Sequence, residues 1–527
     1  MTTPRTPSGL FLAASISVTG AAHADPLNVC VIMAEDMGLQ LNAYADHTVP
    51  TPNSSALAER GVTFERAYCT APTCSPSRAS FFTGLYPHQN GHVGLALLYD
   101  YKLHRGVPTL PQMLSDAGYR TGVSYKIHVR PESQVGFDVE YTHKHFQSVN
   151  KPTGDVVETG RVFEEFLDEQ PADTPFFFML NTHATHRPFN KGQSVEELGP
   201  PYEHLDALGP DEVPFFPDDI EATNWARKDL AMYYNAVQRF DYAVGLVVDA
   251  LEERDLLDDT LIILTSDHGP PLGRGKLSIH EFGLRIPVIV AWPGESQPGL
   301  RREELISMVD LTATIFDATG VEPPEVMEGA SLRPLVRGEA PAWRDAVFAE
   351  FIAHTTYHQL WPSQAVITDT AKLIHNMIHD RPVHGKPIIP ANTADYWSAM
   401  QSPTDTLAFK VYDRYTNRPE FELYDLAADP YEFHDRAQDA GYETLVADLR
   451  HRLDKWRACT ADPFADADYL DRFVAYYADQ QRRVDEWKDE TGGDVWSSEV
   501  IAGDQTPWQR DWADVAREIM DARRSCE

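Results

Sequence analysis

Cysteines, basic residues and long apolar runs are all scarce in this chain. Five cysteines in 527 residues, at 30, 69, 74, 459 and 526, are too few and too scattered for a disulfide framework, and their spacing does not reveal a pairing. Lysine and arginine number 45 against 80 acids, a formal net charge of −35. That balance excludes nucleic-acid binding, since a duplex is captured by cations that displace its counterions. It also weighs against a surface that grips long polyanions. An anionic substrate would need a local positive pocket, and small or chain-end ligands suffer least from the surrounding field. A salt-rich habitat accounts for the acidity equally well. No stretch approaches the length of a membrane span, so no membrane-crossing segment is expected. Internal repeats and low-complexity tracts are absent as well.

The composition, 43% hydrophobic and 24% charged, is that of an ordinary globular protein. The length exceeds what one core usually spans, which predicts one large domain and a smaller one. At the start, Arg5, the small and apolar run Leu10 to Ala22, and Ala22-His23-Ala24 fit a secretory leader over 1–24. That reading sends the protein to the periplasm or outside the cell. A mis-assigned start or a disordered leader is the competing reading and would leave it cytoplasmic.

Leu27 to Ala34 is a continuous apolar run, as in a parallel strand buried on both faces, and it ends at Glu35-Asp36. The pattern recurs. A helix over Thr109 to Ala117 precedes a strand, Tyr119 to Tyr125, ending at Lys126-Ile127-His128. A helix over Arg161 to Asp168 precedes Pro175 to Asn181, ending at His183 to His186. The amphipathic stretch Trp225 to Arg254 precedes Thr260 to Thr265, ending at Asp267-His268-Gly269. This alternation predicts a doubly wound α/β domain over 25–335, with ligands beyond the carboxyl ends of its strands. Strand-like runs at Ala346 to Ile352, Ala365 to Thr368 and Lys372 to Met377, with a helix over Thr444 to Trp456, predict a smaller C-terminal α+β domain over 336–465. Residues 466–527 lack clear core periodicity and read as a docking extension or helical arm of unknown role.

Glu35, Asp36, Asp267 and His268, at the ends of two neighbouring strands, are candidate ligands of a hard cation, Ca²⁺ or Mg²⁺. Ser75-Pro76 reads as a helix start with Ser75 as the cap, which places Cys74 at a helix N-terminus where anions are favoured. Arg78, one turn in, can hold an oxyanion with its planar fork. Cys74-Ser75-Pro76-Ser77-Arg78 followed by Thr83-Gly84 resembles the signature of the type I sulfatases. Lys126 and His128, Lys276 in Gly275-Lys276-Leu277-Ser278, and His183 to His186 with Arg187-Pro188 are similar to further motifs of that family. Pro87 to Gly91, Lys126 to Glu132, Glu422 to Asp425 with Asp429-Pro430, and Asp454 to Trp456 with Asp462-Pro463 narrow the resemblance to the sulfamidase (N-sulfatase) branch, across roughly residues 27 to 465.

The resemblance implies an alkaline-phosphatase-like fold, Ca²⁺, commonly a dimer, and conversion of Cys74 to formylglycine by a maturation enzyme. It implies a sulfated sugar as substrate, with the N-sulfo group of glucosamine foremost. It assigns Arg78, Lys126 and Lys276 to the sulfonyl group, Arg187 to substrate binding, Asp267 to accepting a proton, His186 to the leaving group and His128 to the release of sulfate. Glu35, Asp36, Asp267, His268 and the modified residue 74 would hold the cation. The family usually has Asp where this chain has Glu35, one methylene longer. The alternatives are an O-sulfatase on sugar or aryl esters, a phosphonate or phosphate diesterase of the same superfamily, and a non-catalytic binding protein with Cys74 unconverted.

Overall fold

The computed structural model describes residues 27–96, 101–142, 156–189, 205, 207–214, 224–355, 359–380, 399–415, 417–491 and 507–526; the expected leader lies outside them. In chain order the first strands are β1 (Asn28–Ala34), β2 (Val62–Phe64), β3 (Ala67–Tyr68), β4 (Arg120–Tyr125), β5 (Val139–Thr142), β6 (Phe176–Thr182), β7 (Thr260–Ser266), β8 (Val288–Ala291), β9 (Leu300–Arg302) and β10 (Ile306–Ser307). All but β3 and β10, which pair with each other, join one sheet in the order β5-β4-β6-β1-β7-β8-β2-β9. Neighbours from β5 to β7 are parallel, whereas β8 runs antiparallel to β7 and β2.

Burial on both faces explains the unbroken apolar run of β1. Val29, Val31 and Met33 point into a core shared with Phe81 and Phe82 of the helix Cys74–Thr83. Cys30, Ile32 and Ala34 point into a second core with Val237, Phe240 and Val244 of the helix Asn224–Glu252. Two cores on opposite faces define the doubly wound α/β architecture, as expected.

A second, antiparallel sheet follows: β11 (Ala346–Ala353), β12 (Leu360–Thr368), β13 (Ala371–Asn376) and β14 (Phe421–Asp425), in that order. β12 reaches back well beyond the expected Ala365. Pro362 disguises its first half in the sequence and sits where the register shifts opposite Phe351 and Ala353, as proline in a strand tends to.

The expectation of no core periodicity beyond 465 is corrected. In the helix Ala467–Thr491, Leu470, Phe473, Val474, Tyr477 and Val484 recur at helical spacing and pack with Val93, Tyr101 and Ile352. Dense Asp and Arg on the opposite face obscure the pattern in the sequence. The helix Trp512–Cys526 packs Val515 and Ile519 on Leu85 and Val326, and Cys526 is disulfide-bonded to Cys459. Among the described residues no helix is long and apolar enough to cross a membrane.

A buried ion pair joins the short helix Pro87–Asn90 to the second sheet. His88 Nδ1 lies 3.0 Å from both Glu350 oxygens, and its Nε2 lies 3.0 Å from Thr460 Oγ1. Thr460 donates its hydroxyl hydrogen to Trp456 O at 2.8 Å, so it accepts from Nε2. Glu350, which also accepts from the His88 backbone N–H and from Gln364, accepts at Nδ1. Both ring nitrogens therefore carry protons, and His88 is an imidazolium. Burial opposes that charge, but Glu350, with Asp462 and Glu328 beyond it, lifts the pKa above its ordinary value. Since the folded pKa is raised, the stabilisation is complete below the unfolded value of about 6.5 and is lost as pH rises through the folded value. Thermal unfolding should show the midpoint falling over that window. Glu350→Gln should lower stability by roughly 3–5 kcal/mol and flatten the pH dependence, because it leaves a buried group unpaired. A variant with the parent's pH profile would show that His88 carries no such charge.

Candidate active site

Register assembles the site. Ala34 on β1 lies opposite Thr182 on β6 and Ser266 on β7. The three strands end flush, so Glu35-Asp36, His183 and Asp267-His268 emerge side by side. Hydrogen bonds then lock them. The Asp36 and His268 backbone N–H groups donate to Asp267 Oδ1 at 2.9 and 3.0 Å, and Ser266 Oγ accepts from Met37 N–H at 2.9 Å. Asp36 and His128 hold φ at 59° and 58°, a region that residues other than glycine occupy mainly where the surroundings force it. Gly269 is required by contact, because a Cβ there would lie 2.0 Å from Phe282 O.

Cys74 is the first residue of its helix, but the cap is not the expected Ser75. Ser75 Oγ is occupied by the Ala96 N–H at 3.0 Å. Thr73 stands at the cap position, and its hydroxyl turns to His354 Nδ1, 2.6 Å away. Cys74 Sγ lies 3.3 Å from Lys276 Nζ, 3.4 Å from His268 Nε2 and 3.7 Å from Asp36 Oδ1. Burial pushes its thiol pKa far up, outweighing the Lys276 ammonium.

Arg78 is wholly buried. Its Nε donates to Asp267 Oδ2 at 3.0 Å and its Nη1 to Asn181 Oδ1 at 2.6 Å, while Nη2 has no protein partner. Lys276 Nζ donates to both Asp36 oxygens, at 3.0 and 2.8 Å. Lys126 is in contact with Glu35, whose other oxygen lies 2.6 Å from His183 Nδ1. His186 Nδ1 donates to Arg187 O at 2.6 Å, leaving Nε2 3.8 Å from both Glu35 Oε1 and Asp36 Oδ2. Burial, then the Lys126 and Arg78 charges, pull His128 well below the ordinary histidine range, so it is a neutral ring with an unpartnered Nδ1.

Two expected roles change. Arg187 grips Asp229 with both terminal nitrogens, donates Nε to Pro271 O at 2.9 Å and lies over the Phe189 ring. Its donors brace a loop, and it does not join the cluster around Cys74. Asp267, the expected proton acceptor, spends both oxygens on N–H donors; burial would raise its carboxyl, but His268 and Arg78 hold it below the usual range. A carboxylate held so low is a poor base and a good anchor. Asn181, Ser266 and His354 are additional members. Asn181, the polar residue in the last turn of an apolar strand, was the one with a readable signal; no motif marks His354.

Asp36, Asp267, His268 and Cys74 bring ligand atoms within 4.8 Å of one another, while Glu35 groups with His183 and His186. The donor set fits a cation. His268 Nδ1 is 2.8 Å from Gly269 O, which can only accept, so Nδ1 carries a hydrogen and Nε2 faces Asp36 Oδ1 at 3.0 Å. Lone pair against carboxylate is tolerable only with a proton or a metal between. Burial would raise Asp36, but the Lys276 ammonium holds it well below its usual value, ionised and able to coordinate.

Buried cations around a residue at a helix N-terminus, beyond the ends of parallel strands, make a site for an anion. The Sulfatase family model matches residues 27–321, and the model for the C-terminal part of N-sulphoglucosamine sulphohydrolase matches residues 275–382. The chain is 32% identical over 489 residues to N-sulphoglucosamine sulphohydrolase of Homo sapiens, covering 86% of this chain and 94% of that one. It is 28% identical over 471 residues to an ulvan-active sulfatase of Formosa agariphila, covering 82% and 75%. The chain belongs to the sulfatase family and is a sulfuric ester hydrolase; the family is formylglycine-dependent and metal-binding. Similar solved structures include one in complex with its substrate D-glucosamine-2-N,6-O-disulfate (TM-score 0.62, 20% identity, 84% of this chain and 99% of that one). Another is the phosphonate monoester hydrolase of Agrobacterium radiobacter (TM-score 0.61, 21% identity, 82% and 95%). Those two likenesses speak for the fold.

Arg78→Lys is the sharpest test of this geometry. Lysine carries its three donors on one nitrogen and cannot reach Asp267, Asn181 and the substrate at once as the planar fork does. kcat/KM should fall by roughly 10²–10³-fold, the usual cost of one oxyanion donor, and inhibition by free sulfate should weaken in parallel. Unchanged inhibition would remove Arg78 from anion binding.

Proposed function

We propose that this chain is a formylglycine-dependent N-sulfatase acting on N-sulfonated glucosamine at a glycan end. The observation that carries the anion chemistry is the unspent Nη2 of buried Arg78, beside residue 74 and in company with Lys126 and Lys276. The N-sulfo preference draws on the similarity to N-sulphoglucosamine sulphohydrolase across 94% of that protein's length.

A buried Cys74 thiol with so high a pKa is a poor nucleophile as it stands, which supports the need for conversion. Formylglycine supplies, as its hydrate, one hydroxyl to attack sulfur and a second to expel sulfate. Arg78, Lys126 and Lys276 bind the sulfonyl oxygens and hold them in line. His128, neutral at Nδ1, can take up a proton as sulfate departs. His186 fixes its Nδ1 hydrogen on Arg187 O, so any proton given to the leaving nitrogen comes from Nε2. Burial holds His186 well below the ordinary histidine range, with Asp36 opposing, so its acid form belongs to acidic solution. Asp36, Asp267, His268 and residue 74 would hold the cation, which neutralises oxyanion charge when bound. The Cys459–Cys526 disulfide supports an oxidising compartment, as does the expected leader.

Cys74→Ser should end turnover while preserving the fold, because an alcohol cannot expel the sulfate; continued turnover would refute the formylglycine reading. Intact-mass analysis of the parent should show residue 74 lighter by about 18 Da than the thiol. With N-sulfonated glucosamine the rate should climb as pH falls, and His186→Ala should harm it far more than hydrolysis of a nitrophenyl sulfate, whose leaving group needs no proton. Sulfate release from a 6-O-sulfated sugar but not from N-sulfonated glucosamine would instead favour an O-sulfatase, in line with the ulvan-active relative.

A further inference from the structure

The resemblance implies Ca²⁺, and the donor set points elsewhere. We propose that the cation site of this chain, formed by Asp36, Asp267, His268 and residue 74 without Glu35, is built for a first-row transition ion of the Mn²⁺ or Zn²⁺ type. This inference rests on the reading of the cluster as the enzyme's metal centre.

Three observations converge. First, Ca²⁺ asks for six to eight oxygens, often from bidentate carboxylates and water. Here Asp267 Oδ1 already takes two backbone N–H bonds and Oδ2 takes Arg78 Nε, so bidentate coordination would strip a buried guanidinium of its partner. Asp36, Asp267 and His268 are all 0% exposed, which leaves little room for water to complete a large shell. Second, Glu35 is committed to the other side. Lys126 touches it, His183 Nδ1 lies 2.6 Å from it, and its nearest ligand-type neighbours are His183 and His186. Drawing Glu35 onto the cation would leave the Lys126 ammonium without its partner. Third, His268 is a preset nitrogen ligand: the Nδ1 hydrogen on Gly269 O fixes the ring and aims Nε2 at the same point as Asp36 Oδ1 and residue 74. Imidazole suits transition ions and suits Ca²⁺ poorly, and a compact set of two carboxylates, one imidazole and one further donor matches a small ion with low coordination number.

The test needs no turnover. Protein stripped with chelator is titrated calorimetrically with Mn²⁺, Zn²⁺ and Ca²⁺ separately, and bound metal is counted by elemental analysis. One transition ion per chain should bind, with affinity above that for Ca²⁺ by roughly 100-fold or more, as expected for a site with nitrogen in its shell. Electron spin-echo spectroscopy of the Mn²⁺-loaded parent should show coupling to an imidazole nitrogen, and His268→Asn should abolish it. Glu35→Gln should leave Mn²⁺ affinity within about threefold, because Glu35 lies outside the set. Tighter binding of Ca²⁺ than of Mn²⁺, absence of nitrogen coupling in the parent, or loss of metal binding in Glu35→Gln would each overturn the proposal. Because these readouts use no substrate, they stand apart from the N-sulfatase reading: an inactive protein with the predicted metal preference refutes the latter alone.

Discussion

Ala34, Thr182 and Ser266 lie abreast on three parallel strands, and the flush ends they create bring Glu35, Asp36, His183, His186, Asp267 and His268 to one place. A shift of one residue in β6 or β7 would turn each core side chain to the wrong face, because strand side chains alternate with period two. The packing of Phe176–Thr182 and Thr260–Ser266, all buried, therefore holds catalytic geometry as firmly as it holds the fold. The helix that begins at Cys74 is fixed to the same ends. Ser77 Oγ donates to Asp267 O, and Arg78 to the Asp267 side chain, so the helix carrying Cys74 cannot move without breaking a fully buried ion pair.

Buried charge of this density must be self-neutralising. Arg78, Lys126 and Lys276 oppose Glu35, Asp36 and Asp267, and each cation touches at least one of the acids. Three against three leaves the cluster without net charge inside a chain of net charge −35, a poor trap for an anion. A divalent cation held by Asp36, Asp267 and His268 would make the cluster net positive and free Lys276 from Asp36 for the substrate. The neutral imidazoles of His128 and His186 fit that balance, since burial and the neighbouring cations disfavour any further positive charge there.

Much of this was legible in the sequence. The four strands that end in polar residues, the helix after Cys74 and the smaller antiparallel sheet all follow from apolar runs and their punctuation. Site residues announced themselves because strand ends in an α/β sheet are where polar groups gather. Roles were less legible than positions. Nothing in the local sequence says that Arg187 pairs with Asp229, 42 positions away, or that Glu35 turns to Lys126 and His183. The apolar face of the helix Ala467–Thr491 escaped notice because Asp and Arg crowd its outer face, and the partners of that face, Val93, Tyr101 and Ile352, are distant in the chain. The cap at Thr73 was misplaced by two residues, because Ser75 satisfies a loop N–H that only the tertiary fold brings near.

The second sheet is more than an appendage to this site. Lys276 sits in a loop with no regular secondary structure, and Arg274 and Leu277 on either side hold positive φ of 62° and 68°. Such a loop keeps its shape only if its surroundings dictate it. Pro270 O and Pro72 O accept from the Lys276 and Leu277 N–H groups at 2.8 and 2.7 Å, and further groups come from beyond residue 340. Arg274 donates to Glu432 O at 2.9 Å, Tyr415 reaches Ser278, and Glu432 accepts from the Glu281 N–H at 2.6 Å. Lys372, wholly buried on β13, pairs with Glu281 and Glu432 at 2.7 and 2.8 Å and so ties the far end of the loop to the antiparallel sheet. His354, at the end of β11, meets Thr73 beside the nucleophile. The larger domain thus supplies the reacting groups, and the smaller one fixes where Lys276 and residue 74 stand relative to them.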